Sequence, residues 1–105
     1  MNAITVIKFS GDLDVGRKEE LHESLRANPA SRGVLLDLEA VNYADSTALA
    51  EILRFSVDVT DMGKRLAVFV PTPQLQVLIR YAGCEDAFPS FDTRAAALTY
   101  LGESS

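Results

Sequence analysis

The sequence holds one cysteine, one histidine, four prolines and no tryptophan. With a single thiol, Cys84, no disulfide can form within the chain, and the expected role of such a residue is that of a small buried hydrophobe. Metal sites draw on several His or Cys ligands at set spacings. One of each is present, so neither a metal centre nor a cofactor is expected. No apolar run reaches the length of a membrane span, and the N-terminus lacks the basic segment and apolar core of a secretory leader. A cytoplasmic protein without direct membrane insertion is the expectation. Basic residues are also scarce: 10 Lys and Arg stand against 15 Asp and Glu, for a net charge of −5. Phosphate-backbone binding needs clustered positive charge, so nucleic acid is not an expected partner.

What remains suits one compact domain over residues 1–105. Apolar residues make up 48% of the 105, enough for a core. Residues 4–9 read Ile-Thr-Val-Ile-Lys-Phe, β-branched and interspersed with polar residues, and predict a strand. Ser10 to Asp14 supplies turn residues. Val15 to Ala27 reads as a helix with Leu21 and Leu25 inward, ended by Asn28-Pro29. Val34 to Leu38 and Leu66 to Val70 are short apolar runs of the kind found in strands covered on both faces. Between them a long helical pattern follows Asp45 and Ser46 and runs to about Met62. One stripe is Leu49, Ile52, Leu53 and Ser56; its neighbour is Ala48, Phe55, Val59 and Met62.

Thr72-Pro73 reads as a helix start and Gly83 as its stop, with Leu75, Leu78, Ile79 and Ala82 inward. Phe88 to Phe91 predicts a short edge strand. Asp92 is the expected cap of a last helix, with Ala95, Leu98 and Leu101 facing the core. Strands that alternate with helices predict an α/β domain with a mostly parallel central sheet of about four strands and about four helices.

Few residues offer chemistry. His22 lies among Glu19, Glu20 and Glu23, where exposure or pairing with Glu19 is the expectation. A Ser-His-Asp triad would have to use it, yet no nucleophile elbow flanks any serine. Phosphate-cradling glycine loops are also missing. The chain is therefore not read as an enzyme. The unusual stretch is Val41-Asn42-Tyr43-Ala44-Asp45-Ser46-Thr47-Ala48-Leu49, which joins a buried strand to the longest helix. In α/β sheets that junction lies at the ligand-facing edge, which would put Ser46 at the surface among unpaired backbone amides. A plain helix cap would use the same residues.

The segment resembles the signature of the STAS domain, shared by anti-sigma factor antagonists and the tails of sulfate transporters. Members carry a strand ending Asp-Leu, a spacer, and Asp-Ser-Ser/Thr-Gly-Leu. The matches here are Leu36-Asp37-Leu38 and Asp45-Ser46-Thr47-Ala48-Leu49. Ser10-Gly11-Asp12-Leu13-Asp14 is similar to the family's Gly-Glu-Leu-Asp. A late pattern follows in Gly63-Lys64-Arg65-Leu66, Pro73, Val77, Leu78, Gly83, Phe91 and Ala97-Leu98. The ordered set spans nearly the whole chain.

The resemblance implies a STAS fold and, for stand-alone bacterial members, a partner-switching role. The serine after the aspartate, Ser46, would be the phosphoacceptor. A partner that is both serine kinase and anti-sigma factor would phosphorylate it, and a serine phosphatase would reverse this. The unphosphorylated antagonist would bind that partner and free the sigma factor. Asp14, Asp45, Thr47, Ala48 and Leu49 would belong to the partner contact, in a monomer or weak dimer. Two departures stand out. Ala48 replaces the family glycine, where a methyl could hinder a kinase. Many members also begin with an extra strand, reduced here to at most Met1 to Ala3. The other reading is a STAS subunit of a lipid-transport ATPase complex or stress-signalling scaffold, with no phospho-switch. Tyr43 and Phe55 are expected to pack, Asp12 to sit in a solvated turn, and Leu49 with Ala50 to offer apolar surface if the helix start is exposed.

Overall fold

The computed structural model describes residues 3–83 and 86–102. Cys84, Met1 and Asn2, and with them the buried thiol and most of the remnant strand, lie outside the described residues. Four strands pair in parallel in the order β1-β2-β3-β4: β1 Ile4–Leu13, β2 Gly33–Ala44, β3 Leu66–Phe69 and β4 Ser90–Phe91. Helices α1 (Lys18–Ser24), α2 (Ser46–Asp61) and α3 (Pro73–Tyr81) make the crossovers, and α4 (Arg94–Tyr100) follows β4.

Alternation along the strands sorts the apolar residues into two cores. Val34, Leu36 and Leu38 of β2, with Leu66, Val68 and Val70, pack against Leu21 and Leu25, against Ile52, Phe55 and Val59, and against Leu75 and Ile79. One sheet face thus carries α1, α2 and α3. The smaller core on the other face joins Leu35, Ala67 and Phe69 to Ala97 and Leu101 of the α4 segment. Asp37 is the polar exception, its side chain 1% exposed. Its carboxylate accepts from the Glu39 amide at 2.9 Å and from Arg94 Nη1 at 3.1 Å, with Lys8 Nζ at 3.7 Å. Asp37 thereby ties α4 and β1 to the middle of the sheet.

Several elements depart from the sequence expectation. Ser10 to Asp12 is not a turn: β1 continues through it beside β2, which itself runs twelve residues to Ala44. Register slips between Lys8 and Ser10 and between Gly11 and Asp12 absorb the irregularity, and Gly11 sits at φ +77°, a conformation that penalises any Cβ. Arg17 then closes over the bulge, donating from Nη1 to the Ser10 and Asp12 carbonyls. The first helix opens as a 3-10 turn, Val15–Arg17, and ends at Ser24, not Ala27. Leu25 turns out of the helix at ψ 70°, and Arg54 of α2 donates to its carbonyl at 3.0 Å.

Thr72 precedes α3 but its hydroxyl makes no capping bond, and Ala82 is exposed. Thr93, not Asp92, caps α4 through the Ala96 amide at 3.1 Å, which turns Ala97 inward and leaves Ala95 in solvent. Leu53 leaves the core stripe of α2 and is 37% exposed.

Candidate functional site: the Ser46 helix tip

The register of β1 on β2 ends with Leu13 opposite Ala44, so the two chain segments leave the sheet side by side. Asp14-Val15 and Asp45-Ser46 are consequently neighbours, although thirty residues separate them in sequence. Three hydrogen bonds fix the junction. The Asp45 amide donates to the Leu13 carbonyl at 3.0 Å. Asp45 Oδ2 accepts from the Val15 amide at 3.0 Å, and Oδ1 from the Ala48 amide at 2.9 Å. One carboxylate thus caps α2 and clasps the start of the 3-10 turn. Asp14 performs the same local service, accepting from the Gly16 amide at 3.0 Å.

Asp45 is therefore the N-cap and Ser46 the first helical residue. Helix geometry leaves the amides of Ser46 and Thr47 without an intrahelical acceptor, and the partial positive charge of the helix start favours an anion there. Ser46 is exposed and Thr47 half-buried. Asp12, Asp14 and Val15 are exposed around them, Val15 by 67%, and Tyr43 is 45% exposed where packing was expected. The tip is acidic and carries two exposed apolar side chains.

Ala48 and Leu49 correct the expected partner surface. Their relative exposures are 0% and 5%, and both belong to the larger core. The Ala48 methyl packs in the larger core and does not face solvent. Phe55 is fully buried, as expected.

His22 is exposed, as expected, and does not pair with Glu19. Its Nδ1 lies 3.1 Å from Glu51 Oε1 on α2, and Glu51 also accepts from Arg54 Nε at 3.1 Å. The bond from His22, with help from Arg54, holds the Glu51 carboxyl below the usual carboxylate range. At the other end of α1, the hydrogen bond from Arg17 likewise lowers Glu20. Val15, Asp37 and Arg54 were missed as site or support residues. Val15 contributes a backbone amide, which no side-chain pattern encodes. Arg54 could have been found from the i,i+3 and i,i+4 spacing of Glu51, Arg54 and Asp58.

A depression of about 360 Å³ lies between α3 and β4, lined by Gln76, Ile79, Arg80, Ser90, Phe91 and Asp92. It shares no residue with the Ser46 tip. Among the described residues, no helix is long and apolar enough to cross a membrane.

The STAS domain family model matches residues 2–97. The chain belongs to the STAS domain family. Solved structures with the same fold include a candidate anti-sigma factor antagonist from Thermotoga maritima, with a TM-score of 0.83, 15% identity, and coverage of 95% of this chain and 88% of that one. A sulfate transporter family protein from Wolinella succinogenes is similar at a TM-score of 0.81 and 18% identity, covering 94% and 84%. The phosphorylated Bacillus cell fate determinant SpoIIAA is similar at a TM-score of 0.68 and 16% identity, covering 96% and 93%. These identities carry the fold alone. A comparison with curated proteins finds no match.

Proposed function

We propose that this STAS domain is an anti-sigma factor antagonist whose partner binding is switched by phosphorylation of Ser46. The unphosphorylated form binds an anti-sigma factor that is also a serine kinase and so releases the sigma factor. Phosphate on Ser46 ends binding, and a serine phosphatase restores it. The observation that carries this reading is the exposure of Ser46 as the first residue of α2, beside Asp14 and the Asp45 clasp. The similarity in fold to SpoIIAA, which exists in a phosphorylated form, supports it.

The energetics suit a switch that leaves the fold intact. Phosphate adds roughly −1.5 to −2 charges. The helix start favours that charge by about 0.3–1 kcal/mol, and the carboxylate of Asp45 opposes it. These terms nearly cancel in the isolated domain. A partner packed over Ser46 would instead bury an unpaired charge, at a cost of several kcal/mol. About 4 kcal/mol is roughly a thousandfold in affinity. The proposed role is binding, and His22 serves the α1–α2 seam through Glu51.

The similarity to a sulfate transporter family protein favours a second reading, a STAS subunit in a larger assembly such as a lipid-transport ATPase complex or a stress-signalling scaffold. One pull-down from the native cells separates the two, with wild type, Ser46→Ala and Ser46→Asp read by mass spectrometry. A kinase-like regulator captured by the first two forms and not by Ser46→Asp, with phosphate mapped to Ser46, supports the switch. The same transporter subunits with all three forms, and no phosphate, would establish the subunit reading instead.

A further inference from the structure

The sixteen residues of α2 are divided in an unusual way. Ala48, Leu49, Ile52, Phe55, Ser56 and Val59 face the core. The charges gather on the flank towards α1, where they bind one another: Glu51 holds His22 and Arg54, and Arg54 holds Asp58 at 2.8 Å and the Leu25 carbonyl. The line left for solvent is Ser46, Ala50, Leu53 and Val57. Steps of four, three and four place these residues within about 60° of one another on a helix. All four are exposed, Leu53 by 37% and Val57 by 52%. The outward line of a surface helix is ordinarily polar. Here Ala50, Leu53 and Val57 are apolar, and exposed polar residues return only in the last turn, at Thr60 and Asp61.

We propose that Ala50, Leu53 and Val57 form the second half of the partner contact that begins at Ser46. The occupant is a protein with an apolar ridge to lie along α2 and basic side chains to face Asp12, Asp14 and Asp45. The inference rests on the reading of Ser46 as a partner contact. Scale supports it: Ser46 and Val57 are eleven residues apart, about 16 Å along the helix. A standard interface covers on the order of 800 Å² per partner, a disc roughly 16 Å in radius, so a partner centred on Ser46 reaches Val57. Charge selects the occupant. A second copy, itself at net charge −5, would bring two acidic tips towards each other, whereas a basic-rimmed partner is attracted.

The test places a photo-crosslinking residue, p-benzoylphenylalanine, at Val15, Val57 or the α1 control position Glu19. Each version is expressed in the native cells with Ser46 intact and with Ser46→Asp. The expected result is one and the same protein in the adducts from Val15 and Val57, none from Glu19, and loss of both adducts with Ser46→Asp. If Val15 gives a Ser46-dependent adduct while Val57 gives none, or gives only copies of this chain, the docking line falls and the Ser46 reading stands. If neither position gives a Ser46-dependent adduct, both fall. With the crosslinked partner purified, Leu53→Gln combined with Val57→Gln is expected to weaken binding about tenfold or more without lowering the melting temperature. Unchanged affinity would overturn the proposal.

Discussion

Asp45 and Ser46 are adjacent, yet they do opposite things. Asp45 gives both carboxylate oxygens to the fold, one to the Ala48 amide and one to the Val15 amide. Ser46 stands first in the helix with its side chain in solvent. Asp45→Ala removes a helix cap, typically worth about 1 kcal/mol, and a second hydrogen bond of about 0.5–1.5 kcal/mol. Urea denaturation is expected to show a loss of about 1.5–2.5 kcal/mol for Asp45→Ala and a change within about 0.5 kcal/mol for Ser46→Ala. Equal losses in the two variants would mean that the serine, too, holds the fold together. Ala48 makes the same separation from the other side. Its methyl is wholly buried, so the departure at this position lies behind the site and not on its surface.

At the scale of elements, the site is a junction between two strand ends and two helix starts. Only part of that was legible in the sequence. The apolar runs of β2 and β3, and the 3.6-residue pattern of α2, gave the alternating α/β order, since burial on both strand faces leaves a plain sequence signal. Ser10 to Asp12 misled because its turn-forming residues occupy a bulge inside a strand; pairing with β2 and the Arg17 guanidinium override local preference there. Leu25 misled because Pro29 has no N–H to donate to the Leu25 carbonyl, which Arg54 on another helix takes instead. The β2 pairing and the Arg54 bond bridge about thirty residues and have no local signature. The α1–α2 seam also carries a pH dependence. Because its hydrogen bonds lower the Glu51 pKa in the folded state, the stabilisation is present above the ordinary carboxylate range and is lost as pH falls through the lowered value. Glu51→Gln should therefore lower the melting temperature at neutral pH and reduce its fall in acid; parallel curves for the two proteins would show that the seam contributes nothing to acid sensitivity.

For the whole molecule, the arrangement divides labour between the two sheet faces. Three helices and the larger core stabilise one face, α4 and the Asp37 ion pairs hold the other, and Ser46 lies at the sheet's edge where strands end. A charge added there meets solvent and a favourable helix start, not the core. The chain is thus built so that its surface can change without its interior changing. The most direct measurement uses the purified domain with phosphoserine incorporated at position 46, titrated against the regulator captured from its own cells and melted in parallel. A phospho-switch of this design predicts a loss of affinity on the order of a thousandfold, with a melting temperature within a few degrees of the unmodified protein. Equal affinity for the two forms, or a loss of binding that tracks a collapse in melting temperature, would contradict it.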